Sequence, residues 1–202
     1  MLDTIDGLSG DHLELDPYQD DFNARLSSIE NADVWKLERK QDFHQPESGS
    51  WMAFHEGRRK ESIRLLEKNR SSLRKAFDEL SRSGCRLRWV RVVEKPFTIY
   101  LLWELHSLYL RAQCGEDVRV VSPAPVAKLE GSGPLPELVA LGDEVMYKIL
   151  YDTRGVLQGG ERFTDPSLTT RCRSQIAALH EDAEPLEGFF TREVGGTEAT
   201  RA

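Results

Sequence analysis

The sequence predicts a single α/β domain on a mixed sheet, with α+β as the variant, preceded by an N-terminal helical layer. Three observations carry this. A helix–strand–helix–strand run spans 58–121, an order that joins two adjacent parallel strands by a right-handed crossover. Three β-like runs divided by hairpin-type connectors fill 138–163. The chain has 202 residues, 39% of them hydrophobic, which suffices for one core.

The elements follow in order. Residues 1–15 are polar, acidic and weakly patterned, and predict a flexible leader. Asp16-Pro17 reads as a cap with proline at the first helical position, and Phe22, Leu26 and Ile29 share one face of a helix over 17–30. Val34–Glu38 predicts a strand. Pro46–Gly49 breaks the chain, and Trp51 and Phe54 make an apolar pair on a short helical turn ending at Gly57. From Arg58 to Ser83, apolar residues at Ile63, Leu66, Leu73, Phe77 and Leu80 predict one long amphipathic helix, stopped at Gly84.

Leu87–Val93 reads as a strand. Thr98 caps a helix to Cys114 with Leu101, Leu105, Leu108 and Ala112 on one face, and Asp117–Val121 is the next strand. After a proline-rich loop come Leu138–Leu141, Val145–Tyr151 and Val156–Phe163, an antiparallel meander. Asp165-Pro166 opens a helix carrying Leu168, Cys172, Ile176 and Leu179, which Pro185 ends. The boundaries are a leader at 1–15, one domain at 16–192 (helical layer 16–83, sheet core 84–192) and a disordered tail at 193–202.

Composition narrows the function. Twenty-seven Lys and Arg against thirty-four Asp and Glu give a net charge of −7, which argues against a direct nucleic-acid binder. The longest apolar run, Ile99–Trp103, is far short of the ~20 residues a membrane span needs. The acidic N-terminus lacks signal-peptide order. Three widely spaced cysteines (Cys85, Cys114, Cys172) suit free thiols in a reducing cytoplasm.

Catalytic motifs are missing from the sequence. There is no C-x-x-C or H-x-x-x-H pair, so no metal or cofactor is expected, and no G-x-S-x-G, P-loop or G-x-G-x-x-G. Cys85 and Cys114 end helices, where the dipole disfavours a thiolate. His106, among apolar neighbours, reads better as a satisfied histidine than as a general base. Arg82, Arg86, Arg88 and Arg91 surround Trp89, a pattern that can hold nucleic acid but in this acidic chain reads as solvated, paired arginines.

Four stretches resemble an actinobacterial domain family of unknown function over about residues 20–190. They are Trp35–Glu38, Arg88–Pro96, Tyr100–Leu105 and Cys114–Val121. Its members often lie near helix-turn-helix regulators, which implies a regulatory setting. The order of elements from Gly84 to the Asp165 helix also looks like a phospholipase D-like half-domain. With Asp143 set at the aspartate of that superfamily's H-x-K-x-x-x-x-D, the histidine position holds Pro136 and the lysine position Leu138. No covalent phosphohistidine forms without that histidine, so the resemblance implies a dead site.

The leading expectation is a non-catalytic regulatory or sensor module acting through a protein partner, a helix-turn-helix transcription regulator. Its recognition residues would be Arg91, Glu94, Lys95, Tyr100, Trp103 and Glu104, which mix charge with large aromatics. The alternative is a small-molecule pocket at the carboxyl ends of strands 87–93 and 117–121, where open α/β sheets bind ligands. An enzyme of unrecognised type is third. Tyr100 and Trp103 read equally well as core, since the helix needs an apolar face in any case.

Overall fold

The computed structural model describes residues 2–131 and 133–195. The strands are β1 (Asp11–Glu14), β2 (Val34–Glu38), β3 (Leu87–Val92), β4 (Asp117–Val121), β5 (Leu138–Leu141), β6 (Val145–Tyr151), β7 (Leu157–Phe163) and β8 (Glu184–Pro185). They form one sheet in the order β1-β7-β6-β5-β2-β3-β4-β8. The predicted mixed α/β architecture is what the chain adopts. β3 and β4 are parallel neighbours, and β5, β6 and β7 form the antiparallel meander in the same sheet.

The central strand is β2. It runs parallel to β3 on one side, with Lys36 opposite Trp89 and Glu38 opposite Arg91, and antiparallel to β5 on the other. It therefore welds the parallel and antiparallel halves together, so the chain does not divide at residue 83 into a helical layer and a sheet core.

The helices are α1 (Leu15–Ser28), α2 (Gly49–His55), α3 (Arg59–Glu67), α4 (Arg70–Arg82), α5 (Ile99–Gln113), α6 (Pro123–Ala127), α7 (Pro166–Asp182) and α8 (Leu186–Phe190). Strand alternation sorts them onto the two faces. Leu37, Val90, Val92, Leu138 and Met146 point to the α7 face and pack with Leu168, Cys172 and Ile176. Trp89, Val118 and Val120 point the other way, against Leu101, Leu105 and Leu108 of α5. On the same side, Val139, Tyr147 and Ile149 meet Tyr18 and Phe22 of α1. The outer surface of α5 is apolar too, and Tyr100, Trp103 and Leu110 pack with Trp51, Phe54 and Leu66 of α2 and α3. α5 is thus covered both on its sheet side and on its outer side. Thr98 caps it as predicted, its hydroxyl accepting from Leu101 N at 2.9 Å.

Several elements differ from the sequence reading. The stretch 1–15 is not a loose leader. Leu2–Gly7 form a 3₁₀ turn whose Leu2 and Ile5 are fully buried in the α7-side core, and β1 pairs with β7. The helix expected over 58–83 is two helices, α3 and α4. No apolar residue stands at 69 or 70 to hold the turn against the core, and Asn69 there favours local bonding over helix. α1 starts at Leu15, so Asp16 is no cap. The proline-rich loop contains the short α6, and Leu186–Phe190 adds α8. Of the tail at 193–202, residues 193–195 belong to a helical turn with Val194 buried, and 196–202 lie outside the described residues. No helix among the described residues is long and apolar enough to cross a membrane.

Candidate functional site

α1 covers the β6–β7 side of the sheet and α5 the β3–β4 side, which leaves a crevice over β2. Its floor is Lys36 and Glu38 with Trp89 beside them. Tyr100 and Glu104 from α5 make one wall, and Leu15 and Gln19 from α1 the other. Two loops roof it: residues 43–48, leaving β2, and residues 155–157, after the β6 turn. The cavity measures about 680 Å³. That is the size of a small-molecule site.

The roof is anchored by residues distant in sequence. β2 ends at Glu38 because the buried Glu137 carboxylate takes the next amides, accepting from Arg39 N at 3.0 Å and Lys40 N at 2.7 Å. Gln41 Oε1 accepts from Glu94 N at 2.8 Å, and Thr98 Oγ1 donates to Gln41 O at 2.7 Å. Gly155 takes φ +83° and packs so close to Phe43 that a Cβ would stand 3.0 Å from the Phe43 Cα. Only glycine holds that conformation cheaply.

Behind the floor lies a buried ionic cluster. Arg91 has no exposed surface. Its Nε donates to Glu104 Oε2 at 2.7 Å, and its Nη1 donates to the carbonyls of Val92 at 3.0 Å and Glu38 at 3.3 Å. Tyr100 donates to Glu104 Oε1 at 3.3 Å and accepts from Gln45 Nε2 at 2.7 Å. Lys36 Nζ lies 3.2 Å from Glu38 Oε1 and 3.4 Å from the centre of the Trp89 ring.

Three buried carboxylates, Glu38, Glu104 and Glu137, thus face two cations, Arg91 and Lys36. Burial pushes Glu104 up to about 8, against the pull of Arg91, and the negative Glu38 adds to the rise. Glu137 is pushed up to about 7, by burial first and Glu38 second. Burial works on Glu38 as well, but Lys36 and Arg91 outweigh it and hold that carboxyl below the ordinary range. Glu104 and Glu137 hold protons near neutrality chiefly because burial disfavours their charged forms, with repulsion from Glu38 adding to it.

The six residues singled out by sequence separate into two sets. Arg91, Tyr100, Trp103 and Glu104 are buried, so they form no surface for a protein partner. Trp103 is core, its ring 5.6 Å from that of Trp51. Tyr100 and Glu104 line the crevice, and Arg91 supports them. Glu94 and Lys95 lie towards solvent, paired with Arg39 and Glu193. Sequence reasoning missed Lys36, Glu38 and Tyr151. The alternation Val34-x-Lys36-x-Glu38 in a central strand was the available signal, because such a strand buries both faces. Among the described residues, no three His, Cys, Asp or Glu side chains cluster so as to hold a metal ion.

A mixed α/β domain with an ionisable crevice over its central strand is the class that fold and site define. The chain belongs to a domain family of unknown function, DUF6879, whose family model matches residues 20–191. No curated protein matches it.

Proposed function

We propose that the chain is a non-catalytic, ligand-binding regulatory module of the cytoplasm. Its crevice over β2 holds a small molecule, and occupancy is passed to a protein partner. The resemblance described above implies a helix-turn-helix regulator as that partner. One observation carries the ligand reading: a roofed crevice of about 680 Å³ brings the ionisable side chains of Lys36, Glu38 and Glu104 together with the rings of Phe43, Trp89, Tyr100 and Tyr151. The crevice opens beside the carboxyl end of β2, where the parallel and antiparallel halves meet, and sheets of this kind bind ligands at such reversals.

The non-catalytic part of the reading draws support from the phospholipase D likeness, whose nucleophile position holds Pro136. Leu138 is fully buried, and Asp143 is engaged with Arg173 at 2.6 Å. Cys85, Cys114 and Cys172 are free and buried, as suits a reducing compartment.

The test is native mass spectrometry of the protein after incubation with an extract of its host cells. The expected result is one small-molecule adduct, lost in Gln19→Trp, which fills the crevice from an exposed position on α1. Lack of any adduct, or one indifferent to Gln19→Trp, removes the proposal.

A further inference from the structure

We propose that the outer face of α3 and α4 is a sequence-independent contact for the phosphate backbone of duplex nucleic acid. This face shares no residue with the crevice and does not depend on the crevice being a ligand site. The net charge of −7 argues against a chain that binds polyanions over its whole surface, but the charge is unevenly spread. Nine of the 27 Lys and Arg but only four of the 34 Asp and Glu fall in 58–82. That segment therefore carries +5 and the rest of the chain −12. A basic face on an acidic body turns one side only towards a polyanion.

Helical spacing gathers the cations. Lys60 and Arg64 stand one turn apart on α3, and Lys68 follows at the same interval. On α4, Arg70, Arg74, Lys75 and Arg82 line one continuous surface with Glu67 and Asp78. No residue of α4 is fully buried: Leu73 and Phe77 rest partly covered on the α5 layer, and the charged side faces solvent. Local acids answer part of the charge. Glu61 takes Arg64 at 2.6 Å, and Glu67 takes Arg70 at 2.7 Å. Lys60, Lys68, Arg74 and Arg82 are exposed and have no ion pair among the described residues, against one such acid on this face, Asp78.

The kind of partner follows from what this face lacks. Among the described residues the exposed large apolar side chains are Leu8 and Ile99, both outside 58–82. Protein interfaces are anchored by large side chains in desolvated pockets, and a helix lying on a membrane sinks apolar ones into it. A phosphate backbone needs neither. It is held by Arg and Lys with help from hydroxyl donors, and Ser71, Ser72 and Ser81 stand exposed along the same helix. The arginine fork can take two phosphate oxygens at once, which suits the unpaired Arg74 and Arg82. Contacts of this kind position a duplex without reading its bases.

Fluorescence anisotropy of a labelled random-sequence DNA duplex of about 20 base pairs, titrated with the full chain, tests this. Four phosphate contacts predict binding that weakens about a hundredfold between about 50 and 200 mM salt. Lys60→Gln with Lys68→Gln, and Arg74→Gln with Arg82→Gln, should each remove about half of the salt slope, and all four together nearly all of it. These positions are exposed, so the urea midpoint should hold; the two pairs are independent, and a loss of folding in one leaves the other to decide. Lys128→Gln with Arg171→Gln, exposed cations away from the face, should leave binding unchanged. At equal charge, a polyglutamate peptide and phosphatidylserine-containing vesicles should compete at least about tenfold less well than unlabelled duplex. The proposal is overturned by an absence of duplex binding at the lowest salt, or by binding that the four-residue variant keeps or the control variant loses. Peptide or vesicles that compete as well as the duplex also overturn it, and would make the face a contact for an acidic protein or a membrane.

Discussion

Arg91 on β3 and Glu104 on α5 meet at 2.7 Å in a place where Arg91 has no exposed surface. The pair ties the central sheet to its crossover helix and sets the wall of the crevice. A buried pair of this kind adds little net stability, because desolvation offsets the attraction. Removing Arg91 is different, since it takes the donor from Glu104 and from the carbonyls of Val92 and Glu38, and the cation that keeps buried Glu38 ionised. Arg91→Met is therefore expected to destabilise the fold by about 3–5 kcal/mol in urea denaturation. The double variant Arg91→Met, Glu104→Leu should recover a large part of that loss. A double variant as unstable as the single one would show that the arginine acts through packing rather than charge.

The same cluster fixes how stability depends on pH. Glu104, pushed up to about 8, and Glu137, pushed up to about 7, hold protons in the folded state that the unfolded chain has released from about 4.5 upward. A folded state that binds more protons loses stability as pH rises. The contribution of these two carboxyls is complete below pH 4.5 and is lost as pH climbs through 7 and 8. Glu38, held low, works in the opposite sense: its contribution is present above 4.5 and lost on acidification. The urea midpoint should fall from pH 5.5 to 8.5, and Glu104→Gln should flatten that slope. A midpoint that rises across this window in the wild type would contradict the assignment.

The N-terminal stretch gives a third expectation. Leu2 and Ile5 are fully buried among Met146, Leu168, Cys172 and Ile176, and Leu2 N donates to Gln175 Oε1 at 3.1 Å. Leu2→Ala and Ile5→Ala should each cost about 2–5 kcal/mol, the range for emptying a packed core site. Losses under about 0.5 kcal/mol would mean that the segment does not stay docked.

That segment also shows where the sequence stops being legible. The apolar residues of 1–15 stand scattered among polar ones with no helical or strand period, and the burial of Leu2 and Ile5 depends on α7, more than 160 residues away. By contrast, β3, α5, β4 and the meander were all legible, since each is written in local alternation, a cap or a turn. Glu94 and Lys95, offered by the sequence as recognition residues, lie towards solvent in ion pairs with Arg39 and Glu193. Arg91, Tyr100, Trp103 and Glu104 stand out as chemically rich, and the crevice uses Tyr100 and Glu104; core is an equal reading for Tyr100 and Trp103 from sequence, whereas the burial of Arg91 and Glu104 is not visible there. Local spacing shows a charged residue on a strand; it does not show the partner thirteen residues later that lets the charge be buried. The crevice itself draws on residues from Leu15 to Leu157, so no window of sequence contains it.

The last prediction joins the sheet edge to the site. Gly159 on β7 adopts φ +144°, and a Cβ there would come within 2.1 Å of the Leu13 carbonyl oxygen on β1. That contact is with backbone, which cannot swing aside as a flexible side chain can. Gly159→Ala should therefore cost about 3 kcal/mol or more, from the strained φ and from loss of the β1–β7 pairing. Glu14 of β1 leads straight into Leu15 of α1, so the damage should travel to the crevice wall at Leu15 and Gln19. Hydrogen exchange should quicken over residues 11–19 and weaken ligand capture without touching β3 or β4. Gly49→Ala is the control: its Cβ meets only a Leu65 methyl at 4.0 Å, and it should leave stability and capture unchanged. Faster exchange spread evenly over the sheet in Gly159→Ala would instead mean that β1 is integral to the whole fold rather than a local support for α1.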